Sequence, residues 1–422
     1  MALEVAIIGS GPAGCYAAER LVREAPGCRI DIIDRLPTPY GLVRAGVAPD
    51  HQSTKAITRV FDRVLTRDGV AFWGHVEIGR DLALDELRRL YDAVVIATGA
   101  PRDKRLGIEG ENLPGVIGSG AFVGWYNGHP DHATAAPNLS RLRSAVVIGN
   151  GNVALDVARI FAKTPGELAQ SDLAPDIERA LAAAPLREIH IVGRRGPAEA
   201  GFSPKELGEL GALARAQPIV AMDDLPAADG APNPAVIAVL HDFAARPAEA
   251  KPVAIHFHFQ ARPDAFIGAG HVEAARFTHS RGGAKLVLPA DLVVSCIGYR
   301  AVNCGALAPE GGVFAQENGR IEPGLYVVGW AKRGPSGTIA TNRAEAHDVA
   351  QRVAAETAPS DRPGRDGLVR LLEQRGARPV DYAGWLRIDA AERARAASGR
   401  PREKFSDLTA LLEKCGASKE ER

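Results

Sequence analysis

A glycine-rich segment near the start of the chain has the composition and spacing of a turn that binds the diphosphate of a dinucleotide. Residues 9–14 read GSGPAG and follow the apolar run Val5–Ile8. The first glycine permits a tight turn, the second lets backbone approach a pyrophosphate, and the third lets a helix pack closely on the strand. The amino terminus of that helix adds partial positive charge. We therefore predict a nucleotide-binding turn at Gly9, Gly11 and Gly14.

Asp34 supports this interpretation. It ends the next predicted strand, Ile30–Ile33, about 20 residues after the last glycine, where a carboxylate accepts hydrogen bonds from ribose hydroxyls. A glycine motif alone is weak evidence, but here the strand, the helix and the acid all occur at the required spacing.

A second turn of the same kind lies in the middle of the chain. Residues 149–152 read GNGN, and Ala154 takes the third small position. The strand that should carry the ribose-end residue, Glu188–Gly193, is followed by Arg194 and Arg195 rather than by an acid. Two guanidinium groups suit a 2′-phosphate, so we predict NADPH, although adjacent arginines at a strand end are also common as solvated charges.

Two nucleotide sites in one chain already indicate redox chemistry. A nicotinamide at the second site can deliver hydride, and a flavin at the first can accept it and release single electrons. The protein would then contribute placement and electrostatics.

The elements that position these turns are short apolar runs that suit buried parallel strands. They are Val5–Ile8, Val94–Ala97, Ala145–Ile148, Ile189–Val192, Leu292–Cys296 and Tyr326–Val328. Because the strand, glycine turn, helix and strand pattern occurs twice, we predict an α/β fold with two doubly wound, Rossmann-like units. Residues 254–288, which alternate at 256–259 and contain Gly282-Gly283, predict antiparallel strands laid on a parallel sheet.

Composition restricts the class of protein. The 422 residues include 51 basic and 51 acidic side chains, so no overall charge favours nucleic acid or a membrane surface. We find no apolar run long enough to span a bilayer. The five cysteines are scattered, without a CxxC or a His/Cys cluster, which predicts a cytoplasmic protein without zinc, without an iron–sulfur cluster of its own and without a dithiol centre.

Four longer segments resemble one flavoprotein family. Residues 36–51, 124–127, 192–197 and 328–337 are similar, in the same order, to the adrenodoxin reductase-like ferredoxin–NADP reductases. The resemblance implies a domain that binds FAD, built from both ends of the chain, with an NADP domain inserted. In this sequence the FAD domain would comprise residues 1–103 and 322–422, the latter including a charged helical appendage, and the NADP domain residues 104–321.

The resemblance also implies individual site residues. For FAD, beside the glycines, it points to Ala13, Asp34, Leu42, Val76, Trp330, Gly337, Thr338 and Ile339. For NADP it points to Asn150, Gly151, Asn152, Val153, Arg194, Arg195 and Glu206, and to a basic contact at Lys104, where the family pattern has arginine.

Two further residues would lie near the stacked nicotinamide and flavin by the same resemblance. His51 and Glu209 could form an ion pair there, and their role would be orientation and charge tuning, because hydride transfer needs no proton donor. Taken as bare sequence, they are ordinary surface residues.

The implied electron acceptor is a small iron–sulfur protein of the ferredoxin type. Such partners are usually acidic, and four basic residues recur every four positions after His51, on one predicted helix: Lys55, Arg59, Arg63 and Arg67. This spacing predicts a basic stripe for docking, with a plain solvated helix face as the alternative.

Two other functions remain open at this point. One is a flavin subunit that feeds a larger complex, like the small subunit of glutamate synthase, although such subunits typically carry cysteine-rich cluster segments. The other is a non-catalytic module that senses NADPH, which would need no flavin site.

Overall fold

The structure of the protein is a computed structural model that describes residues 1–227 and 232–416. The β-strands are, in chain order, β1 Glu4–Ile8, β2 Arg29–Ile33, β3 Val70–Trp73, β4 Ala93–Ile96, β5 Arg102–Asp103, β6 Val116–Gly118, β7 Ser144–Ile148, β8 Glu188–Val192, β9 Ala216–Ile219, β10 Val253–His258, β11 Ala261–Ile267, β12 Ala274–His279, β13 Lys285–Pro289, β14 Leu292–Ser295, β15 Tyr299–Arg300, β16 Arg320–Glu322 and β17 Leu325–Val327. The α-helices are α1 Pro12–Glu24, α2 Leu42–Ala45, α3 Gln52–Lys55, α4 Thr58–Leu65, α5 Leu84–Leu90, α6 Ser119–Tyr126, α7 Asn152–Ala162, α8 Pro175–Ala183, α9 Pro204–Leu210, α10 Pro234–Ala245, α11 Trp330–Arg333, α12 Ile339–Glu356, α13 Gly364–Gln374, α14 Tyr382–Ala394 and α15 Leu408–Lys414.

The chain forms two compact units. Unit 1 comprises Met1–Arg102, Gly128–Pro130 and the described residues from Tyr299 onward, and unit 2 comprises Asp103–Asn127 and the described part of Asp131–Gly298. The sequence had assigned residues 299–321 to the inserted domain. In the structure they belong to unit 1, because Ala301, Cys304 and Phe314 are buried in its core.

Unit 1 is built on a six-stranded sheet of order β16-β17-β4-β1-β2-β3. All of its pairs are parallel except β16 with β17. Alternate residues of β1 enter different cores: Val5 and Ile7 pack with helices α1 and α12, whereas Ala6 and Ile8 pack on the opposite face. A sheet covered on both faces explains why its strands are almost entirely apolar.

Unit 2 repeats this design with a six-stranded parallel sheet of order β6-β14-β7-β8-β10-β9. Helices α7, α9 and α10 contribute to the core on one face, while the antiparallel sheet β11-β12-β13 packs on part of the other. The predicted α/β class with two Rossmann-like units is confirmed. Among the described residues, we find no helix with the length and apolarity needed to cross a bilayer.

The prediction of antiparallel strands over residues 254–288 is correct only for its later part. Strand β10 pairs in parallel with β8 and β9, inside the main sheet, and the antiparallel sheet begins at Ala261. The alternation in β10 arises because Ile255 and Phe257 face the helices while His256 and His258 face the other way.

The carboxy-terminal helices were expected to be an appendage, but they supply partners for buried groups of unit 1. Asp31 in β2 has no solvent exposure, and its carboxylate accepts hydrogen bonds from Trp73 Nε1 at 2.7 Å, Tyr91 Oη at 2.9 Å and Arg365 Nε at 2.7 Å. A buried carboxylate without such donors would be strongly destabilising. Helix α13, which carries Arg365, therefore completes the sheet's polar interior.

Helix α14 makes a second buried contact with the beginning of the chain. Arg44, in α2, donates two hydrogen bonds to Glu392, from Nη1 to Oε2 at 2.9 Å and from Nη2 to Oε1 at 2.5 Å. Glu392 is fully buried, and the Arg44 guanidinium also lies 5.1 Å from the centre of the Trp385 ring. This bidentate pair joins residues 348 positions apart in the sequence.

We expect Glu392→Gln to destabilise unit 1 by about 3–5 kcal/mol, because removing one partner of a buried ion pair leaves the other charge uncompensated. Chemical denaturation followed by fluorescence measures this loss. The matched control is Glu373→Gln on α13, an exposed site where the free energy of unfolding should change by no more than about 0.5 kcal/mol. Equal stabilities of the two variants would contradict the importance of the buried pair.

Candidate functional site

The first glycine turn has the backbone geometry that its sequence predicts. Gly9 has φ +112°, and a Cβ atom there would lie 2.5 Å from the carbonyl oxygen of Ala97. At Gly14 a Cβ would lie 2.0 Å from the Gly9 carbonyl oxygen. Helix α1 begins directly after Gly11, so its unpaired amide groups border the turn. The arrangement can bind an anionic group.

Asp34 lies beside this turn. Its Oδ2 accepts hydrogen bonds from the backbone N–H of Ser10, at 2.9 Å, and from the Ser10 hydroxyl, and its Oδ1 accepts the N–H of Leu36 at 3.0 Å. These bonds hold an acceptor-only carboxylate at the carboxyl end of β2, next to the helix terminus. Val76 is adjacent, with its N–H bonded to the Asp34 carbonyl at 2.9 Å and its side chain buried.

The loop at residues 40–42 also reaches the turn. Tyr40 N–H donates to the Ser10 carbonyl at 3.1 Å, and a Cβ on Gly41 would lie 3.1 Å from the Gly11 Cα. Leu42, which follows, is 45% exposed although it is apolar, so its side chain is available to a ligand.

Tyr40 holds this loop in a strained conformation. Its φ is +82°, a region that costs a bulky L-residue of the order of 1–3 kcal/mol. Three contacts offset the strain: its hydroxyl donates to Asp62, it accepts from Trp385 Nε1 at 3.1 Å, and its ring stacks on Phe61. Burial and the hydrogen bond to Asp62 raise the pKa of Tyr40, so the hydroxyl stays protonated and can donate.

The later segment of unit 1, around Gly329, contacts the first turn of helix α1. Gly329 has φ +70°, and a Cβ there would lie 2.7 Å from the Cβ of Ala13. Trp330 follows at the start of α11, where its ring stacks on Tyr299 at 5.8 Å and its Nε1 donates to the Ser336 carbonyl at 3.1 Å. Gly337 and Thr338 are exposed, and Thr338 caps α12, which begins at Ile339.

The second glycine turn, in unit 2, repeats the geometry of the first. Gly149 has φ +145°, and a Cβ there would lie 2.5 Å from the carbonyl oxygen of Cys296. Helix α7 begins directly after Gly151, and Ala154 is fully buried where its small side chain allows close packing. Val153, in the first turn of α7, packs partly against the core.

The asparagines of this turn hold the neighbouring segments in place. Asn150 Nδ2 donates to the Arg195 carbonyl at 3.4 Å, and Asn152 Oδ1 accepts from the Ser203 N–H at 2.8 Å. Both Arg194 and Arg195 are exposed. The structure therefore places two arginines directly beside the second glycine turn, where a negative group on a bound nucleotide could reach them.

Sequence reasoning missed Arg159, which organises the acidic residues of unit 2. This fully buried side chain contacts Asp156 at 2.8 Å, Glu206 at 3.2 Å and Glu209 at 3.1 Å. Glu206 and Glu209, which lie on α9, are thereby tied to α7. The only signal in the sequence was the Asp156–Arg159 pair at i, i+3, which is common on solvated helices.

Lys104, His51 and Glu209 complete the set of predicted site residues. Lys104 is exposed in unit 2, with its N–H bonded to the Gly298 carbonyl at 3.0 Å. His51 is the N-cap residue of α3 in unit 1 and is half-buried, whereas Glu209 belongs to unit 2.

The predicted basic stripe on one helix is wrong in part. The helix is interrupted at Ala56 and Ile57, and Lys55, at the end of α3, is buried with 8% exposure. Arg67 lies beyond the end of α4. The break lets α4 place Phe61, Val64 and Leu65 in the core, and it leaves three exposed arginines: Arg59, Arg63 and Arg67.

We expect Arg159→Met to destabilise unit 2 by about 1.5–3 kcal/mol, the usual value of a lost hydrogen bond to a charged group, because its three carboxylates lose their shared cation but can partly rehydrate. Urea denaturation measures the change. The control is Arg179→Met, an exposed arginine on α8 in the same unit. If both variants unfold at the same urea concentration, Arg159 does not stabilise this carboxylate group.

Comparisons with known proteins agree with this geometry. The family model described as pyridine nucleotide-disulphide oxidoreductase matches residues 3–195. The chain is 39% identical to the mitochondrial NADPH:adrenodoxin oxidoreductase of Arabidopsis thaliana, covering 97% of this chain and 95% of that protein. It is 38% identical to the NADPH-ferredoxin reductase FprA of Mycobacterium leprae, covering 97% of each chain.

A solved structure is similar over the same extent. The Mycobacterium tuberculosis FprA structure described as a complex with NADPH has a TM-score of 0.91 and 36% identity, with coverage of 98% of this chain and all of that one. Identity at this level over almost the whole of both chains shows more than a shared fold. The chain belongs to the adrenodoxin reductase-like family of ferredoxin–NADP reductases.

Proposed function

We propose that this protein is a ferredoxin–NADP⁺ reductase, an enzyme that uses FAD to pass electrons from NADPH singly to a small iron–sulfur protein. The observation that carries the proposal is the pair of glycine turns with different flanking residues. The first turn is bonded to a carboxylate, Asp34, and the second lies beside two exposed arginines, Arg194 and Arg195. Two unlike nucleotides therefore fit one chain, and its relatives carry the names of reductases of this kind.

The residues around the first turn fit FAD. Gly9, Gly11 and Gly14 keep side chains away from the turn, the amino terminus of α1 can neutralise a diphosphate, and Asp34 can accept from ribose hydroxyls. We assign the remaining contacts to Ala13, Leu42, Val76, Trp330 and Gly337 to Ile339. Bound FAD would supply the conversion of a two-electron hydride donor into one-electron output.

Thr338 and its helix would tune this chemistry. Helix α12 is 18 residues long and begins at Ile339, so partial positive charge accumulates at its amino terminus. A charge of this sign near the flavin favours the more negative, reduced state.

The second turn would hold NADPH. Asn150 to Val153 border the diphosphate position, and Arg194 and Arg195 would bind the 2′-phosphate through charge-assisted hydrogen bonds. Glu206 would contact the nucleotide, and Arg159 holds the Glu206 carboxylate in place. Lys104 would supply a less directional cation than the arginine of the family pattern.

His51 and Glu209 would orient the nicotinamide against the flavin. Neither needs to transfer a proton, because hydride transfer requires only alignment and a suitable local charge. Arg159 contacts the Glu209 carboxylate at 3.1 Å. It would therefore act as a positioning residue for Glu209.

Other functions can be separated by direct measurement. A protein that is isolated yellow, and that is bleached by NADPH without oxygen, cannot be a non-catalytic NADPH sensor. Rapid reduction of cytochrome c that requires added ferredoxin would distinguish the reductase from a flavin subunit of a larger complex. A colourless protein that still binds NADPH would overturn the proposal.

The cellular setting that we propose is the cytoplasm. All five cysteines are free thiols, and burial raises the pKa of the thiols of Cys15, Cys296 and Cys304 well above the usual range. Buried, protonated thiols without disulfides suit a reducing compartment.

Replacement of both Arg194 and Arg195 by Ala should raise the KM for NADPH much more than the KM for NADH. Each contact to the 2′-phosphate is worth roughly 1.5–3 kcal/mol, and only NADPH has this group. Steady-state kinetics with ferricyanide measures both constants. The control is Arg179→Ala with Arg281→Ala, two exposed arginines of unit 2 away from the turn. Equal losses for the two coenzymes would remove the arginines from the phosphate site.

Docking of ferredoxin should depend on the exposed arginines of α4. We expect Arg59→Glu with Arg63→Glu to raise the KM for ferredoxin and to leave the NADPH-to-ferricyanide activity intact. The effect should weaken with added salt, because charges are screened over about 10 Å at 0.1 M ionic strength. Arg89→Glu with Arg370→Glu, which makes the same charge change at other exposed sites of unit 1, is the control. If both double variants handle ferredoxin alike, the docking surface lies elsewhere.

A further inference from the structure

The loop that joins helices α11 and α12 of unit 1 is bent around one backbone oxygen. Two of its glycines adopt left-handed backbone conformations, with φ of +82° at Gly334 and +78° at Gly337. Between them, the Ser336 carbonyl oxygen accepts three hydrogen bonds: from Trp330 Nε1 at 3.1 Å, from Arg333 Nε at 3.1 Å and from Arg333 Nη2 at 3.0 Å. This carbonyl group is therefore held in one direction, although Ser336 itself is exposed.

Arg333 also ties this loop to the start of helix α12. Its Nη2 donates to Asn342 Oδ1 at 2.8 Å, and its Nη1 donates to the Glu345 carboxylate. Glu345 lies 3.2 Å from Lys332 Nζ as well, so two cations share this carboxylate. The planar guanidinium offers donors in a fixed fork, which a lysine ammonium cannot reproduce. Arg333 therefore holds the loop against the first two turns of α12.

The direction of the Ser336 carbonyl decides where the next amide group points. In a trans peptide the C=O and N–H bonds point to opposite sides, so a carbonyl directed at Arg333 turns the Gly337 N–H away from it. Within the described chain the Gly337 N–H has no acceptor, and the same holds for the N–H groups of Ile339 and Ala340 in the first turn of α12. These donors are available to a group with negative charge.

The function proposed above gives these amide groups a chemical role. FAD would lie beside Gly337, Thr338 and Ile339, and a hydride from NADPH brings two electrons and one proton, so the net charge of the flavin falls by one on reduction. Donors that already point at the position of the developing charge stabilise it without a cost of reorientation. A residue that holds this loop in advance would therefore favour the reduced state of the flavin.

We propose that Arg333 is a positioning residue for the flavin. It fixes the peptide group between Ser336 and Gly337 so that the Gly337 N–H is directed at FAD, and it thereby raises the affinity for the reduced cofactor relative to the oxidised one. The inference rests on the proposed function, since it needs FAD at this site. Arg333 acts through the loop, because its own hydrogen bonds end on Ser336, Asn342 and Glu345.

The first test measures the flavin's midpoint potential in Arg333→Met and in the unmodified protein, by equilibration with a reference dye. We expect the affinity for reduced FAD, relative to that for oxidised FAD, to fall about tenfold in the variant, the usual weight of one hydrogen bond to a charged group. For a two-electron couple this lowers the midpoint potential by about 30 mV. Calorimetric titration of the FAD-free protein measures the affinity for oxidised FAD separately.

Arg333→Lys separates positioning from charge. This variant keeps a cation beside Glu345 but cannot make the fork to the Ser336 carbonyl, so its midpoint potential should fall nearly as far as that of Arg333→Met. Hydrogen exchange of residues 334–342, measured on FAD-free protein, should be faster in both variants because the loop loses its anchor. If Arg333→Lys kept the potential of the unmodified protein, charge alone would explain the effect and the proposal would be wrong.

Arg343→Met is the matched control, because it removes the same charge from helix α12 at a side chain that is 52% exposed and lies 3.7 Å from Glu19. Its midpoint potential and its hydrogen exchange should equal those of the unmodified protein. An Arg333→Met protein that binds oxidised FAD more weakly but keeps its potential would make Arg333 a simple loop anchor and overturn the inference. Failure of the unmodified protein to bind FAD would instead overturn the proposed function, and this inference with it.

Discussion

One backbone hydrogen bond, made once in each unit, sets the geometry on which both nucleotide sites depend. Gly9 N–H donates to the Ile33 carbonyl at 2.7 Å, and Gly149 N–H donates to the Val192 carbonyl at 2.9 Å. Each bond extends the parallel ladder by one residue, so the glycine turn lies beside the end of the neighbouring strand. Only a residue without a Cβ fits there, since in both turns that atom would lie 2.5 Å from a backbone oxygen.

The carboxy-terminal helices supply hydrogen-bond donors that buried polar groups of unit 1 need. A polar residue inside a buried sheet needs donors, and Asp31 obtains one of them from Arg365 of helix α13. The loop that meets Gly11 contains Tyr40 at a strained φ, and helix α14 supports it through Trp385 and, at Arg44, through Glu392. The carboxy-terminal helices are therefore structural parts of the first nucleotide site.

The two faces of the unit 2 sheet serve different purposes. On the helical face, Arg159 contacts carboxylates of two helices, which ties Glu206 and Glu209 of α9 to α7. On the other face, the antiparallel sheet covers β7 and β14 through contacts of Val146 and Val293. His190, His256 and His258 lie on the same face, on the strands β8 and β10. A partly covered face explains how polar rings can occupy strands whose other side is wholly apolar.

The sequence by itself determined both glycine turns, the residues that follow their second strands and the α/β class, because these depend on small residues and short apolar runs at fixed local spacing. The family followed from the resemblance of four longer segments to known flavoproteins. It could not determine that Lys55 is buried, that Arg159 binds three carboxylates, or that β10 joins the parallel sheet. Nor could the sequence determine that Arg44 pairs with Glu392. Such contacts join residues far apart in the chain, and only the packing of complete elements against one another decides which charges lose water and which partners they find.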